Sequence, residues 1–115
     1  MNPFEGIVKF NVDRNLTTFD ASVTYPLLEE ELQEFFHATA VEDKTETIDA
    51  LCDLVVVAVG AMYQLGYNPE NALVETVNEV LSRQGSINSN TGKWEKYKDQ
   101  DPDTLYKANY KLAER

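Results

Sequence analysis

The stretch LLEEELQEFFHATAVEDKTETIDALCD, Leu27 to Asp53, carries nine carboxylates, Glu29, Glu30, Glu31, Glu34, Glu42, Asp43, Glu46, Asp49 and Asp53, against one base, Lys44. Carboxylate oxygens are the hard ligands that Mg²⁺ and Mn²⁺ prefer. Like charges crowded in a fold repel, and desolvation adds to the cost. Such a density implies either acids that all splay into water or a cation held between them. On a helix, residues three or four apart are neighbours, which pairs Glu31 and Glu30 with Glu34, Glu46 with Asp49, and Asp49 with Asp53. Glu46, Asp49 and Asp53 also share one face of a segment that is otherwise mostly apolar. A rise of about 1.5 Å per residue sets Asp53 about 10 Å along the axis from Glu46. One ion does not easily take both, so Asp53 is expected on the substrate side, through a second ion or by orienting a ligand.

Those acids need helices to hold them. Asn2-Pro3 is a capping residue followed by proline, and a first helix is predicted over about 3–14 with Phe4, Ile7, Val8 and Val12 at helical spacing. Residues 15–24 read as loop. A second helix, about 25–40 with Pro26 near its start, has its stripe at Leu28, Leu32, Phe35 and Phe36. A third, about 43–66, turns apolar all round between Leu54 and Met62, which predicts core or an interface with a second subunit. A connection of roughly six to eight residues makes these two helices an antiparallel hairpin, so that the pairs Glu31/Glu34 and Glu46/Asp49 can face one another. Asn68-Pro69 starts a fourth helix, about 69–83; residues 84–104 read as a long polar loop and the last residues as a short helix. The predicted fold is all-α, an antiparallel bundle of four to five helices in a single domain spanning 1–115.

Composition narrows the function classes. The net charge is −10 over 115 residues, which argues against a nucleic-acid groove or an anionic membrane as partner. Residues 1–82 hold fifteen acids and three bases, whereas residues 83–115 hold five acids and seven bases. An acidic body with a mildly basic tail suits an anionic ligand that arrives with a cation. The single cysteine, Cys52, permits no intrachain disulfide, the N-terminus has no signal-peptide pattern, and the longest apolar run is too short to span a bilayer. A cytoplasmic protein is expected. No P-loop is present, because TGKW (Thr91–Trp94) lacks both the leading glycine and a following Ser or Thr.

EELQE (Glu30–Glu34) followed by ETID (Glu46–Asp49) resembles the EExxE…ExxD signature of the MazG-like, all-α nucleoside triphosphate pyrophosphohydrolases, and ETIDALCDL resembles that family's ExxDALxD helix. The eleven intervening residues lie at or just under the short end of the usual spacing. The resemblance covers about residues 25–82, and SRQGSINSNTGKWEKYKD is similar to the tail of small phage-type members, which would place the protein in a host cytoplasm. It implies Mg²⁺ as cofactor (with Mn²⁺ a substitute), Glu31, Glu34, Glu46 and Asp49 as metal ligands, and Glu30 as the residue that positions water, with Glu34 also catalytic. It further implies hydrolysis of a nucleoside triphosphate to the monophosphate and pyrophosphate, by a homodimer or a dimer of dimers.

Phosphate charge beyond what a metal neutralises points to the basic tail. Arg83 and Lys93 are the first candidates for substrate contact, with Lys96, Lys98 and Asn78 behind them and Trp94 and Tyr97 placed to stack on a base. Phe4 and Phe10 could line a base pocket, though core packing accounts for them better. His37 lies one turn beyond Glu34 and reads as an ordinary helix-end residue. Two alternatives stay open: a phosphoribosyl-ATP pyrophosphohydrolase-like enzyme with the same metal site, and a non-catalytic helical dimer that binds a nucleotide or a protein.

Overall fold

In the computed structural model, which describes residues 1–115, the chain is mostly helical. Four α-helices, α1 (Pro3–Asp13), α2 (Ala21–Ala40), α3 (Lys44–Gln64) and α4 (Pro69–Ser82), precede an antiparallel pair of short strands, β1 (Gly85–Ile87) and β2 (Trp94–Lys96). Two 3₁₀ turns, Pro102–Thr104 and Tyr110–Ala113, complete the chain. The residues gather into two compact units, Met1–Pro69 with Arg115 and Glu70–Glu114. No helix is long and apolar enough to cross a membrane.

In the first unit each helix start is written in the sequence. The Asn2 side chain accepts from the Glu5 N–H at 2.9 Å, with Pro3 at the first helical position, the preorganised geometry for a helix N-terminus. α2 begins at Ala21, four residues before the expected start. Asp20 is the reason: its Oδ1 accepts from the backbone N–H of Ser22 at 2.9 Å and from its hydroxyl at 2.6 Å. Pro26 lies inside this helix, in its second turn, where it removes one N–H without ending the helix. α2 and α3 are joined by only Val41, Glu42 and Asp43, not by six to eight residues. Glu42 takes a left-handed conformation, φ 58°, which reverses the chain within one turn, and Asp43 then caps α3 by accepting from the Glu46 N–H at 3.1 Å.

α3 packs along α2 and, on another side, against α1. The best-buried side chains here are small, Ala38, Ala50 and Val59, and small residues at a contact allow helix axes to approach. α1 is fastened to α3 by a buried amide: Asn11 Nδ2 donates to the Ile7 carbonyl at 2.8 Å, and its Oδ1 accepts from Gln64 Nε2 at 3.0 Å. That amide explains a glycine in mid-helix, where glycine costs about 1 kcal/mol relative to alanine. A Cβ on Gly60 would lie 3.0 Å from Asn11 Nδ2. At the other end of α3, Arg115 donates to the carbonyls of Tyr63 and Tyr67 while its guanidinium lies 3.9 Å from the Tyr63 ring, a cation where the helix dipole favours one.

The second unit is organised around α4. Glu75, 7 % exposed, accepts from the Tyr106 hydroxyl at 2.5 Å and the Asn109 N–H at 2.9 Å. One turn on, Glu79 accepts from the Ala108 N–H and from Arg83, both at 3.1 Å. These bonds to the charged form hold both carboxyls below the usual range. Within the polar 84–104 segment the chain pairs Gly85 with Lys96 and Ile87 with Trp94, turning through Gly92 at φ 73°. The Trp94 ring covers Gly85 so closely that a Cβ there would sit 2.6 Å from it. The terminal helix expected from the sequence is a single 3₁₀ turn, Tyr110–Ala113.

The apolar run of α3 is only partly covered. Val59 and Gly60 are buried, yet Val55 and Val56 are exposed. Ile48, Leu51 and Val55 form an exposed stripe, and Leu32 and Phe36 do the same on α2, Phe36 at 70 %.

Candidate metal centre

One turn of α2 carries Glu31 and Glu34, and α3 brings Asp53 up to them. An oxygen from each of the three lies within 4.8 Å of the others. Glu31 Oε2 is sealed from solvent and has no hydrogen-bond partner, which is expensive for a carboxylate oxygen in any fold. The Glu31 carboxyl is accordingly pushed up from its ordinary value to about 7. Burial is the largest cause; the adjacent Glu34 carboxyl follows, then the charges of Asp53 and Glu30. No base answers this charge, since the two ion pairs of the structure, Lys9–Asp13 and Arg83–Glu79, lie elsewhere. Three carboxylates within reach of one centre, one of them carrying a buried and unpartnered oxygen, fit a divalent cation.

Glu34 has a second neighbourhood. It lines a cleft of about 710 Å³ toward the α2–α3 turn, together with His37, Asp43, Glu46 and Asp49. Glu46 and Asp49 are exposed there and stand outside the close group of Glu31, Glu34 and Asp53. The short turn accounts for this register. Two antiparallel helices that reverse about Glu42 bring opposite one another residues equally far from it, because both rise alike per residue. Glu31 and Asp53 are each eleven residues from Glu42, whereas Glu46 falls opposite Ala38. The longer connection expected from the sequence would have shifted that register; Asp53 was expected on the substrate side because of its rise along α3 from Glu46, and the structure instead sets it beside Glu31 and Glu34.

Glu30 is exposed on α2 beside this group. The other candidates from the sequence belong to the second unit. Asn78 is exposed on α4, Arg83 is paired with Glu79 on its own helix, and Lys93, Lys96 and Lys98 are exposed on and beyond the hairpin. In the first unit Phe4 is half-buried, while Phe10 is exposed with the Arg14 guanidinium 4.0 Å from its ring.

Among known families, the profile described as Phosphoribosyl-ATP pyrophosphohydrolase (PRA-PH) matches residues 11–80, the span that contains all of α2 and α3. Neither a curated protein nor a solved structure matches the chain.

Proposed function

We propose, from the premise that this chain belongs to the phosphoribosyl-ATP pyrophosphohydrolase family of the MazG-like all-α superfamily, that it hydrolyses a nucleoside triphosphate to the monophosphate and pyrophosphate with Mg²⁺. The observation that carries this is the group Glu31, Glu34 and Asp53, with its one orphaned oxygen. These three would hold the ion, and Glu46 and Asp49 in the adjoining cleft would hold a second cation or the cation that arrives with the substrate. Bound Mg²⁺ would neutralise phosphate charge and make water a better nucleophile near neutral pH.

The chain's own residues supply the rest. Glu30, exposed next to the group, orients the attacking water, and Glu34 takes its proton as oxygen bonds to the α-phosphorus and the bond to the pyrophosphate oxygen breaks. Pyrophosphate leaves with that electron pair. The exposed stripes on α2 and α3 support assembly as a homodimer or dimer of dimers. The family's own name points to phosphoribosyl-ATP as a second substrate class; the bond cleaved is the same, so the two differ in what the sugar and base occupy.

Pyrophosphate release from a panel of nucleoside triphosphates and phosphoribosyl-ATP, with and without Mg²⁺, tests the proposal. The wild type should turn over at least one of them only with the metal, and Glu34→Gln or Asp53→Asn should lose about a hundredfold or more with the fold retained. Equal, negligible release from all three proteins sinks the enzyme and leaves a nucleotide- or protein-binding dimer.

A further inference from the structure

Beside the carboxylate group, in the first unit, α1, α2 and α3 enclose a slot of about 150 Å³. Its position follows from the helix stripes. On α3, Val56, Val57 and Gly60 lie three, four and seven residues beyond Asp53; on α2, Leu27 and Thr24 lie four and seven residues before Glu31. Those intervals keep one helix face, so the slot continues the groove that holds the carboxylates. Asp53 to Gly60 is about 10 Å along the axis, roughly the reach of a sugar between a metal-bound α-phosphate and its base. The walls are apolar, with Phe10 at one side and Leu27 and Val56 partly exposed at the opening.

The polar lining of the slot is the amide pair together with the Thr24 side chain. Asn11 is 4 % exposed and is fixed by its bonds to Ile7 and Gln64, so it cannot swing away. Gln64 donates through Nε2 to Asn11, and its Oε1 and second Nε2 hydrogen remain for the slot's ligand. A carboxamide offering an acceptor beside a donor complements the donor–acceptor edge that nucleobases display. A phosphate or a second sugar phosphate would find no charged side chain in the lining, and the first N–H groups of α2, which begins beside the slot, are already bonded to Asp20.

Resting on the function proposed above, we propose that this slot receives the nucleobase of the substrate, with the amide pair of Asn11 and Gln64 reading its edge and Phe10 and Val56 against its face. A neutral heterocycle of one base fills it, so inorganic polyphosphates are poor substrates.

Two measurements on the full chain test this. The first is kcat/KM for the four nucleoside triphosphates against a triphosphate of 1,2-dideoxyribose, which lacks a base, in wild type, Gln64→Ala and Val56→Phe. The second follows the side-chain amide resonances of Asn11 and Gln64 as each triphosphate is added with Mg²⁺. The expected result is that nucleotides shift those resonances and the base-free triphosphate does not, and that either substitution lowers the nucleotide-to-base-free ratio by about tenfold or more. Turnover of nucleotides with still resonances and an unchanged ratio overturns the slot and leaves the hydrolase intact. Shifted resonances without turnover of any triphosphate keep the slot and reject the hydrolase. Neither turnover nor shift rejects both. Resonances that move with protein concentration alone place a second copy in the slot and overturn it.

Discussion

Glu31 concentrates the physical problem of this molecule in one side chain. A carboxyl pushed up to about 7 by burial and by neighbouring acids is a folded state that holds its proton longer than the unfolded chain does. Between the ordinary glutamate range and about 7 the unfolded state releases that proton first, so stability falls as pH rises across this window and stays low above it. In chelator, thermal melts of the wild type should therefore drop from pH 5 to pH 8 more steeply than those of Glu31→Gln, which cannot ionise. Mg²⁺ should restore the wild type at pH 8 and raise the variant less, because an ion that binds only the native state raises its apparent stability in proportion to its affinity. Parallel melting curves for the two proteins in chelator would show that Glu31 is not the strained group.

At the scale of elements, the turn between α2 and α3 decides which acids meet. Glu42 in a left-handed conformation is a strained choice for a residue with a Cβ. Glu42→Gly should raise stability by about 0.5–1 kcal/mol, the relief of strain less the extra freedom gained by the unfolded chain, and metal affinity should not change; denaturant unfolding and a metal titration check both. A loss of stability would mean that the chain does not reverse there. The four helices were legible from their caps and stripes, as Asn2-Pro3, Asn68-Pro69 and the Leu28/Leu32/Phe35 stripe illustrate. The closeness of Glu31 and Glu34 was legible too, because they sit one turn apart whatever lies around them. Asp53 was not, since its place depends on the length of a connection that no periodicity reports. The start of α2 was hidden by giving Pro26 more weight than the Asp20–Ser22 cap. The hairpin was hidden because each strand is three residues long and exposed, with no alternation to betray it, although Asn90-Thr91-Gly92 signalled a turn.

The molecule as a whole leaves apolar surface that its own helices do not cover. Leu32 and Phe36 on α2, with Ile48, Leu51 and Val55 on α3, are each 41 % or more exposed, more than a lone surface leucine would require explaining. If these stripes meet their counterparts in a homodimer, Phe36→Asp with Leu51→Glu should shift the sedimentation coefficient from dimer to monomer. An unchanged coefficient, or a wild type that already sediments as a monomer, removes this face from the assembly. With a net charge of −10, a divalent ion bound in the groove would also lower the repulsion that a compact acidic fold carries.

The most direct test of the central claim is a calorimetric titration of Mn²⁺ into the chelator-treated protein at pH 7.5, in wild type, Glu31→Gln, Asp53→Asn and Glu46→Gln. The expected result is saturable binding by the wild type, weakened about tenfold or more in Glu31→Gln and Asp53→Asn, with the tightest site kept in Glu46→Gln. Wild-type affinity in Glu31→Gln and Asp53→Asn, or no saturable binding in the wild type, would contradict the assignment of Glu31, Glu34 and Asp53 as the centre.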